Sequence, residues 1–155
     1  MGEQDGHGEP GEGDGRRGLL TPELRAELRE QAGSDAGDKW PLVKLFNPMG
    51  AATWLASELD VDGDTLFGLA DLGFGCPELG CFLLAEIAAV RLPFGLGIER
   101  DAHFDPLAPL SVWTGAARRL GSIGLAEKAL RRRKLDQLLP DPLTGPDGPE
   151  GGADS

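Results

Sequence analysis

Apolar residues between positions 42 and 104 occur in short runs that are separated by glycine, proline and aspartate. Runs of this length with such boundaries are typical of β-strands joined by turns. The pattern predicts five strands, at residues 42–46, 52–59, 65–72, 78–83 and 97–104. The block from Lys44 to Gly80 is the densest of these stretches and holds one of the three tryptophans, Trp54.

A hairpin is predicted at the centre of this block. Asp62-Gly63 is a favoured pair for a two-residue turn. With this turn, Leu59 would lie opposite Leu66, Glu58 opposite Phe67, and Trp54 opposite Asp71. The sequence therefore predicts a largely antiparallel sheet.

Helices are predicted on both sides of the strand region. Thr21 is a typical N-cap residue, Pro22 suits the first helical position and Gly33 ends the helix. The predicted helices are residues 22–32, 84–91, 107–120 and 125–139. We expect the helices at 84–91 and 107–120 to pack on the sheet, and the first and last helices to be peripheral.

The composition fits a single small α+β domain with acidic tails. The formal net charge is −11, but residues 40–139 hold twelve acidic and ten basic residues and are nearly neutral. Glycine and acidic residues dominate both ends, which have few apolar residues to bury and are predicted to be disordered. The predicted organisation is a tail at 1–18, a domain at 19–123, a basic helical extension at 124–139 and a tail at 140–155.

The chain has no features of export or membrane insertion. No apolar run approaches the roughly 18 residues of a membrane helix, and no apolar segment follows a basic start. Two cysteines without an export signal favour a reducing compartment, so a cytoplasmic location is expected. Cys76 and Cys81 are expected to be buried free thiols, because two cysteines are too few for a structural zinc site.

Several stretches resemble a bacterial family catalogued as domain of unknown function 2958. These are LLTPELRAEL, PLVKLFNPMGAATWLASELD, DTLFGLADLGFGCPELG, LAEI and IERDAHFDPLAPLS, within about residues 19–123. The resemblance implies a small protein of plasmids and other mobile elements, often encoded near anti-restriction and conjugation genes. It implies no established activity.

The chain departs from this family pattern at three places. Cys81 stands where the family usually has an aromatic residue, often Tyr, and the chain contains no Tyr. Leu83 stands where the family usually has a Ser that would form a capping box with Glu86. The basic helix after Gly124 and the acidic tails are extensions. A role that needs a Tyr hydroxyl at position 81 is therefore excluded here.

Two motifs resemble ligand-binding loops but have the wrong spacing. Asp60-x-Asp62-x-Asp64 begins like a calcium loop, but Thr65 stands where an EF-hand needs Gly and Asp71 where it needs Glu. Residues 73–78, GFGCPE, begin like a dinucleotide loop, but Glu78 replaces the third glycine. The favoured interpretations are an acidic hairpin tip and a glycine bend. The sequence predicts no cofactor and no metal site.

An acidic cluster with one histidine is the candidate for catalysis. On a strand, Glu99, Asp101, His103 and Asp105 would share one face. The candidate catalytic residues are Asp71, Glu78, Asp101 and His103. Carboxylates beside a histidine could act as a base with its orienting partner or bind a metal. The alternative is the solvated face of a sheet.

A basic segment is the candidate for nucleic-acid binding. Phosphate neutralisation requires only Lys and Arg, and no aromatic residue is interleaved with these in the sequence. The candidate residues are Arg118, Arg119, Arg131, Arg132, Arg133 and Lys134. A helix that is solvated or paired with the acidic tail is the alternative.

Three functional hypotheses follow. The first is a non-enzymatic accessory protein of mobile elements that binds a protein or nucleic-acid partner. The second is nucleic-acid binding through residues 118–134. The third is a small enzyme or metal protein that uses the acid/histidine cluster. No membrane partner is expected.

Overall fold

Five strands pair into one sheet in the computed structural model, which describes residues 18–139. The strands are β1 (Val43–Phe46), β2 (Thr53–Leu59), β3 (Thr65–Asp71), β4 (Glu78–Leu83) and β5 (Glu99–Arg100). Their order is β4-β3-β2-β1-β5, and every pairing is antiparallel. The α+β prediction is confirmed. The predicted tails lie outside the described residues, apart from Gly18.

Four helices cover the two faces of this sheet. They are α1 (Pro22–Ala32), α2 (Leu84–Ala88), α3 (Leu110–Leu120) and α4 (Ile123–Leu138), with a 3₁₀ turn at Pro93–Gly95. On the first face, buried residues of α1 and α2 pack with strand residues: Leu28, Leu84, Ile87, Val43, Leu45, Trp54, Leu59 and Leu66. On the second face, α3 and α4 do the same: Trp113, Ala116, Ala117, Ile123, Ala126, Leu130, Leu55 and Leu69.

The prediction that the first and last helices are peripheral is wrong. Leu28 of α1 is fully buried, and α4 buries Ile123, Ala126 and Leu130. The apolar stripe of α1 is thin in the sequence, but one deeply inserted leucine is enough to anchor it. Since burial of a leucine contributes about 1.5–3 kcal/mol, both helices stabilise the domain.

A β-bulge in β2 explains one error in the predicted register. Leu59 pairs with Leu66 and Glu58 with Phe67, as predicted, but the register then shifts between Ala56 and Glu58. Beyond the bulge Trp54 therefore pairs with Ala70 and not with Asp71. A bulge inserts one extra residue and so exchanges the faces of all residues that follow it.

Two neighbouring residues accommodate the bulge at Ser57. The Gln31 side chain of α1 donates a hydrogen bond of 2.6 Å to the Ser57 carbonyl oxygen. On β3, a Cβ at Gly68 would lie only 1.8 Å from the Leu55 carbonyl oxygen. Glycine is therefore the residue that lets the two backbones approach at this point.

Aspartates from distant parts of the chain cap three of the helices. Asp38 accepts a hydrogen bond from Ser111 N in α3 (3.2 Å), and Asp64 accepts one from Ala85 N in α2 (2.9 Å). Asp71 accepts one from Ile123 N in α4 (2.9 Å). The first backbone N–H groups of a helix have no partner within the helix, so each aspartate satisfies a group that would otherwise be left unpaired.

Candidate nucleic-acid interface

The four residues predicted as a catalytic cluster lie in three separate places, because only Asp101 and His103 are neighbours. Asp71 is only 1% exposed. One of its oxygens accepts a hydrogen bond from Ile123 N at the start of α4, and the other accepts one from Gly73 N in the following loop, at 2.9 Å each. Glu78 lies on β4, at one edge of the sheet, and Asp101 follows β5, at the opposite edge. The structure therefore does not bring the acidic residues together.

The predicted strand at 97–104 ends after Arg100, which corrects the expected alternation of Glu99, Asp101, His103 and Asp105. The Asp101 side chain accepts a hydrogen bond from His103 N (2.9 Å), and its carbonyl accepts one from Phe104 N (3.3 Å). A short side-chain bond of this kind forms a turn and ends the strand. His103 is exposed on this turn.

A half-buried ion network fixes α4 to the sheet. Lys44 of β1 lies 2.7 Å from a Glu127 oxygen and 3.7 Å from Asp101, and Arg131 pairs with the other Glu127 oxygen at 2.9 Å. Glu127 is largely buried, so its two cationic partners compensate for its loss of hydration. Lys44 and Glu127 were missed in the sequence because their pairing joins residues far apart in the chain. Only the Glu127–Arg131 spacing was readable as an i,i+4 pair.

The second half of α4 extends past the core and carries the basic run. The buried line of α4 continues from Leu130 to Arg133, Lys134 and Gln137, which share a helix face at i, i+3, i+4 and i+7 spacing. This face lines a cavity of about 370 Å³. The opposite wall consists of Trp40, Leu107, Pro109 and Val112, with Asp105 at its edge. We call this site the Trp40 cavity.

Trp40 brings an aromatic ring to the basic helix, which the sequence did not reveal. Its side chain is 45% exposed. Its carbonyl accepts a hydrogen bond from Gln31 (3.1 Å), and the preceding Lys39 carbonyl accepts one from Leu110 N (2.8 Å). With Asp38 bound to α3, the backbone around the ring is held on both sides. The ring is therefore exposed on a fixed support.

One wall residue of the Trp40 cavity has an unusual backbone conformation. Leu107 has a φ of 66°, one of two non-glycine residues with positive φ in the described chain. The Asp105 side chain accepts a hydrogen bond from Leu107 N (3.2 Å), and its other oxygen accepts one from Lys134 Nζ (2.6 Å). Backbone strain of this kind persists only where the surroundings impose it, and it is frequent at binding sites.

The basic side chains of the α4 run differ in whether an acidic residue already pairs with them. Lys134 is paired with Asp105, and this hydrogen bond is the main cause that lowers the pKa of the Asp105 carboxyl. Arg131 is paired with Glu127. Arg132 and Arg133 are exposed and have no ion-pair partner among residues 18–139. Two guanidinium groups are therefore available to an anionic ligand, that of Arg133 in the cavity lining and that of its neighbour in the chain, Arg132, outside the lining.

Arg118 and Arg119 lie at the other end of the α3–α4 hairpin. They occupy the last turn of α3, beside the Gly121 connection, whereas the Trp40 cavity is built from the start of α3 and the end of α4. Basic residues in the last turn also interact favourably with the helix dipole. The structure thus divides the predicted basic group into two parts.

Charge is unevenly distributed over the described domain. Residues 110–139 contain seven basic and two acidic residues, whereas residues 18–109 contain six basic and fifteen acidic residues. The α3–α4 side is therefore the positive side of a domain that is acidic elsewhere. An uneven field of this kind orients an approaching polyanion toward one side.

The acidic turn between β2 and β3 is satisfied by its own backbone. Asp62 accepts hydrogen bonds from Asp64 N and Thr65 N (2.8 Å each) and from the Thr65 hydroxyl (2.6 Å). The Thr65 hydroxyl is the main cause that lowers the pKa of Asp62. Gly63 has a φ of 73°, as its place in the turn requires. These contacts account for the sequence of the turn without a bound cation.

The glycine bend has the predicted backbone, but the two thiols differ from expectation. Gly73 and Gly75 have φ values of 94° and 83°, a conformation that favours glycine, which agrees with the interpretation of residues 73–78 as a glycine bend. Cys76 and Cys81 are free thiols, as expected, but both are exposed, so the prediction of burial is wrong. Cys81 lies on β4, whose outer edge no other described strand covers.

Residues 18–139 contain neither a metal-binding cluster nor a membrane-spanning helix. No group of three or more His, Cys, Asp or Glu side chains is placed to hold a metal ion. No described helix combines the length and apolar character that crossing a bilayer requires.

Comparison with known proteins assigns the chain to a family. The model of the family described as "Protein of unknown function (DUF2958)" matches residues 19–124. No curated protein and no solved structure matches the chain. Because the match covers more than half of the sequence, the chain belongs to this family.

Proposed function

We propose that this protein is a non-catalytic binding protein for single-stranded nucleic acid, with the Trp40 cavity as its binding site. The observation that carries the proposal is the meeting of Trp40 with Arg133 and Lys134 across a cavity of about 370 Å³. Single-strand binders combine an exposed aromatic ring with basic residues that follow the phosphate backbone.

The parts of the site have complementary roles in this proposal. A base stacks on the Trp40 ring, which contributes about 1–3 kcal/mol in proteins of this kind. Arg132 and Arg133 contact phosphates, since both are exposed and unpaired among the described residues. Lys134 extends this basic stripe, although Asp105 neutralises part of its charge.

The fixed support of the ring favours binding. Hydrogen bonds at Asp38, Lys39 and Trp40 hold the segment against α3 and α1. A preorganised site loses less conformational entropy when a ligand binds. The support is therefore consistent with a ligand site, whereas a tryptophan that only fills the core would be buried.

The other hypotheses receive less support. Asp71 is buried on β3, Glu78 lies on one edge strand and Asp101 follows the other, so these carboxylates do not form one site and we do not propose a catalytic role for them. The mobile-element setting implied by the family resemblance suits a nucleic-acid partner. The proposal places the protein in the cytoplasm, where such a partner is present.

The test is fluorescence anisotropy with a labelled oligo(dT) of about 15 nucleotides and the full chain. The site variant is R132A/R133A, and the matched control is R118A/R119A at the other end of the helical hairpin. We expect micromolar binding by the wild type and a loss of at least tenfold in the site variant. In the site variant, the slope of log K against log salt concentration should be smaller in magnitude by about 1.4. Two phosphate contacts are lost, and each contributes about 0.7 to the slope on single strands.

Three outcomes would contradict the proposal. The first is the absence of binding at 50 mM salt. The second is equal weakening by R132A/R133A and R118A/R119A, which would indicate attraction by general charge. The third is preference for a duplex of the same length, since Trp40 has no unpaired base to stack on in a duplex.

A further inference from the structure

The outer edge of β4 is a sheet edge without the usual protection. β4 pairs only with β3, so one row of its backbone N–H and C=O groups has no strand partner among residues 18–139. Proteins commonly protect such edges with Lys, Pro, a bulge or a very short strand. The sequence of β4, ELGCFL, has no Lys and no Pro, and its pairing has no irregularity; its one charged residue is Glu78, at the first position of the strand. The opposite edge, β5, is only two residues long.

Exposed apolar side chains surround this edge. On β4, Leu79 is 41% and Leu83 is 36% exposed, and the Cys81 thiol between them is also exposed. These three residues alternate along the strand and share the sheet face that α3 and α4 cover further in. In the loop before β4, Leu72 and Phe74 are also exposed. Clustered apolar residues of this kind mark interaction surfaces.

The other face of β4 borders a groove of about 410 Å³ between the strand and α2. Trp54, Ala70 and Phe82 contribute apolar surface on the strand side, and Ile87 and Val90 on the helix side. The ionisable side chains that line the groove, apart from the Cys81 thiol, are Glu78 and Glu86. No Lys, Arg or His is among the lining residues. The groove is therefore apolar with a negative rim.

We propose that β4 and this groove bind an extended segment of a protein partner in which apolar and basic residues alternate. The segment adds to the sheet as a sixth strand, and the free edge of β4 supplies the backbone hydrogen bonds. The side chains of the bound segment alternate between the two faces of the sheet. One set contacts Leu79, Cys81 and Leu83 and is apolar. The other set enters the groove with long basic side chains.

Lys and Arg suit the groove because of their two parts. Their aliphatic stems cover the apolar surface of Trp54 and Phe82, and their charged ends reach the carboxylates of Glu78 and Glu86. The chain's own ends do not fit this description, since residues 1–17 hold five acidic residues and residues 140–155 hold four. A second copy would bring two grooves with acidic rims together. A basic partner segment is therefore favoured.

The test uses two capped octapeptides, one of alternating Val and Lys and one of alternating Val and Glu, with the full chain in 0.15 M salt. Affinities are measured by calorimetry, and the binding site is located by amide chemical shifts. We expect the Lys peptide to bind at least tenfold more tightly than the Glu peptide. The shifts should be confined to residues 78–90 and the neighbouring strand β3.

Matched variants separate this groove from general attraction by an acidic protein. E78Q/E86Q should weaken binding of the Lys peptide by about fivefold, as expected for exposed ion pairs. E23Q/E27Q removes the same charge from α1 and should leave it unchanged. C81K should also weaken binding of the Lys peptide. Because Cys81 is exposed, this variant should fold normally, and an unchanged thermal unfolding curve checks that it does.

Specific results would overturn the proposal. Equal affinity for the two peptides would show that the groove does not select basic side chains. Equal effects of E78Q/E86Q and E23Q/E27Q would show that Glu78 and Glu86 do not bind them specifically. Shifts located mainly outside residues 78–90 and β3 would exclude the edge as the site. Sedimentation of the peptide-free chain as a dimer that C81K dissociates would identify a second copy as the occupant. All outcomes are independent of oligonucleotide binding.

Discussion

Asp64 and Asp71 stand at the two ends of β3, and each accepts a hydrogen bond of 2.9 Å from the first turn of a helix. Asp64 bonds to α2 on one face of the sheet, and Asp71 bonds to α4 on the other. The two ends of β3 thus fix the starts of two helices, one on each face of the sheet. Two residues that suggest acidic chemistry in the sequence have structural roles.

Removal of the Asp71 carboxylate should destabilise the domain strongly. D71A leaves the buried Ile123 N without an acceptor and removes the partner of Gly73 N in the exposed bend, so we expect the free energy of unfolding to fall by about 2–3 kcal/mol. D35A, at an exposed position, is the control and should change it by less than about 0.5 kcal/mol. Urea denaturation followed by circular dichroism measures both. Equal stability of the two variants would show that Asp71 is not a structural residue.

The cap at Asp64 predicts a suppressor mutation. D64A should cost about 1 kcal/mol, the usual effect of losing an N-cap. L83S places a serine directly before α2, three residues ahead of Glu86, and forms the capping box that the chain lacks. L83S should therefore recover much of the loss in D64A but add little to the wild type. If L83S has the same effect in both backgrounds, Asp64 does not act as the cap.

The Asp105–Lys134 pair predicts effects on both stability and binding. The pKa of Asp105 is lowered in the folded state, so its contribution is present above the ordinary value of 3.8 and is lost as the pH falls through the lower folded pKa. At pH 7, D105N should be less stable by a few tenths of a kcal/mol, since the pair is exposed. This difference should shrink as the pH falls below 3.8 and through the lower folded pKa, as acid titration of wild type and D105N would show.

The same variant should bind nucleic acid more tightly. D105N removes a negative charge 2.6 Å from Lys134 and leaves that ammonium available to a phosphate. We expect the affinity for oligo(dT) at pH 7 to rise by about threefold, the size of an exposed ion-pair effect. A decrease in affinity would mean that Asp105 positions Lys134 for the ligand.

The local parts of the fold were predictable from the sequence. The helix from Pro22 to Ala32, the first four strands and the pairing of Leu59 with Leu66 follow from caps, turn residues and apolar runs. The bulge at Ser57 was not predictable, because six of the seven residues of β2 are buried and no alternation marks the irregularity. The strand at 97–104 was overextended because alternating charges also suit a turn closed by Asp101.

The candidate site depended on contacts between distant residues. The basic run on α4 was visible in the sequence, but Trp40 lies more than ninety residues before it. The bonds that hold Trp40 involve Gln31, Asp38 and Leu110 in two helices and a loop. No local pattern connects these residues, so the aromatic component of the site emerged only from the fold.

Tryptophan fluorescence during titration with unlabelled oligo(dT) tests the Trp40 cavity most directly. Of the three tryptophans, Trp54 and Trp113 are buried and Trp40 is 45% exposed, so stacking of a base should quench Trp40 alone. We expect saturable quenching in the wild type and none in W40F. In W40A the binding free energy should be less favourable by about 1–3 kcal/mol. Binding without quenching, or equal quenching in W40F, would contradict it.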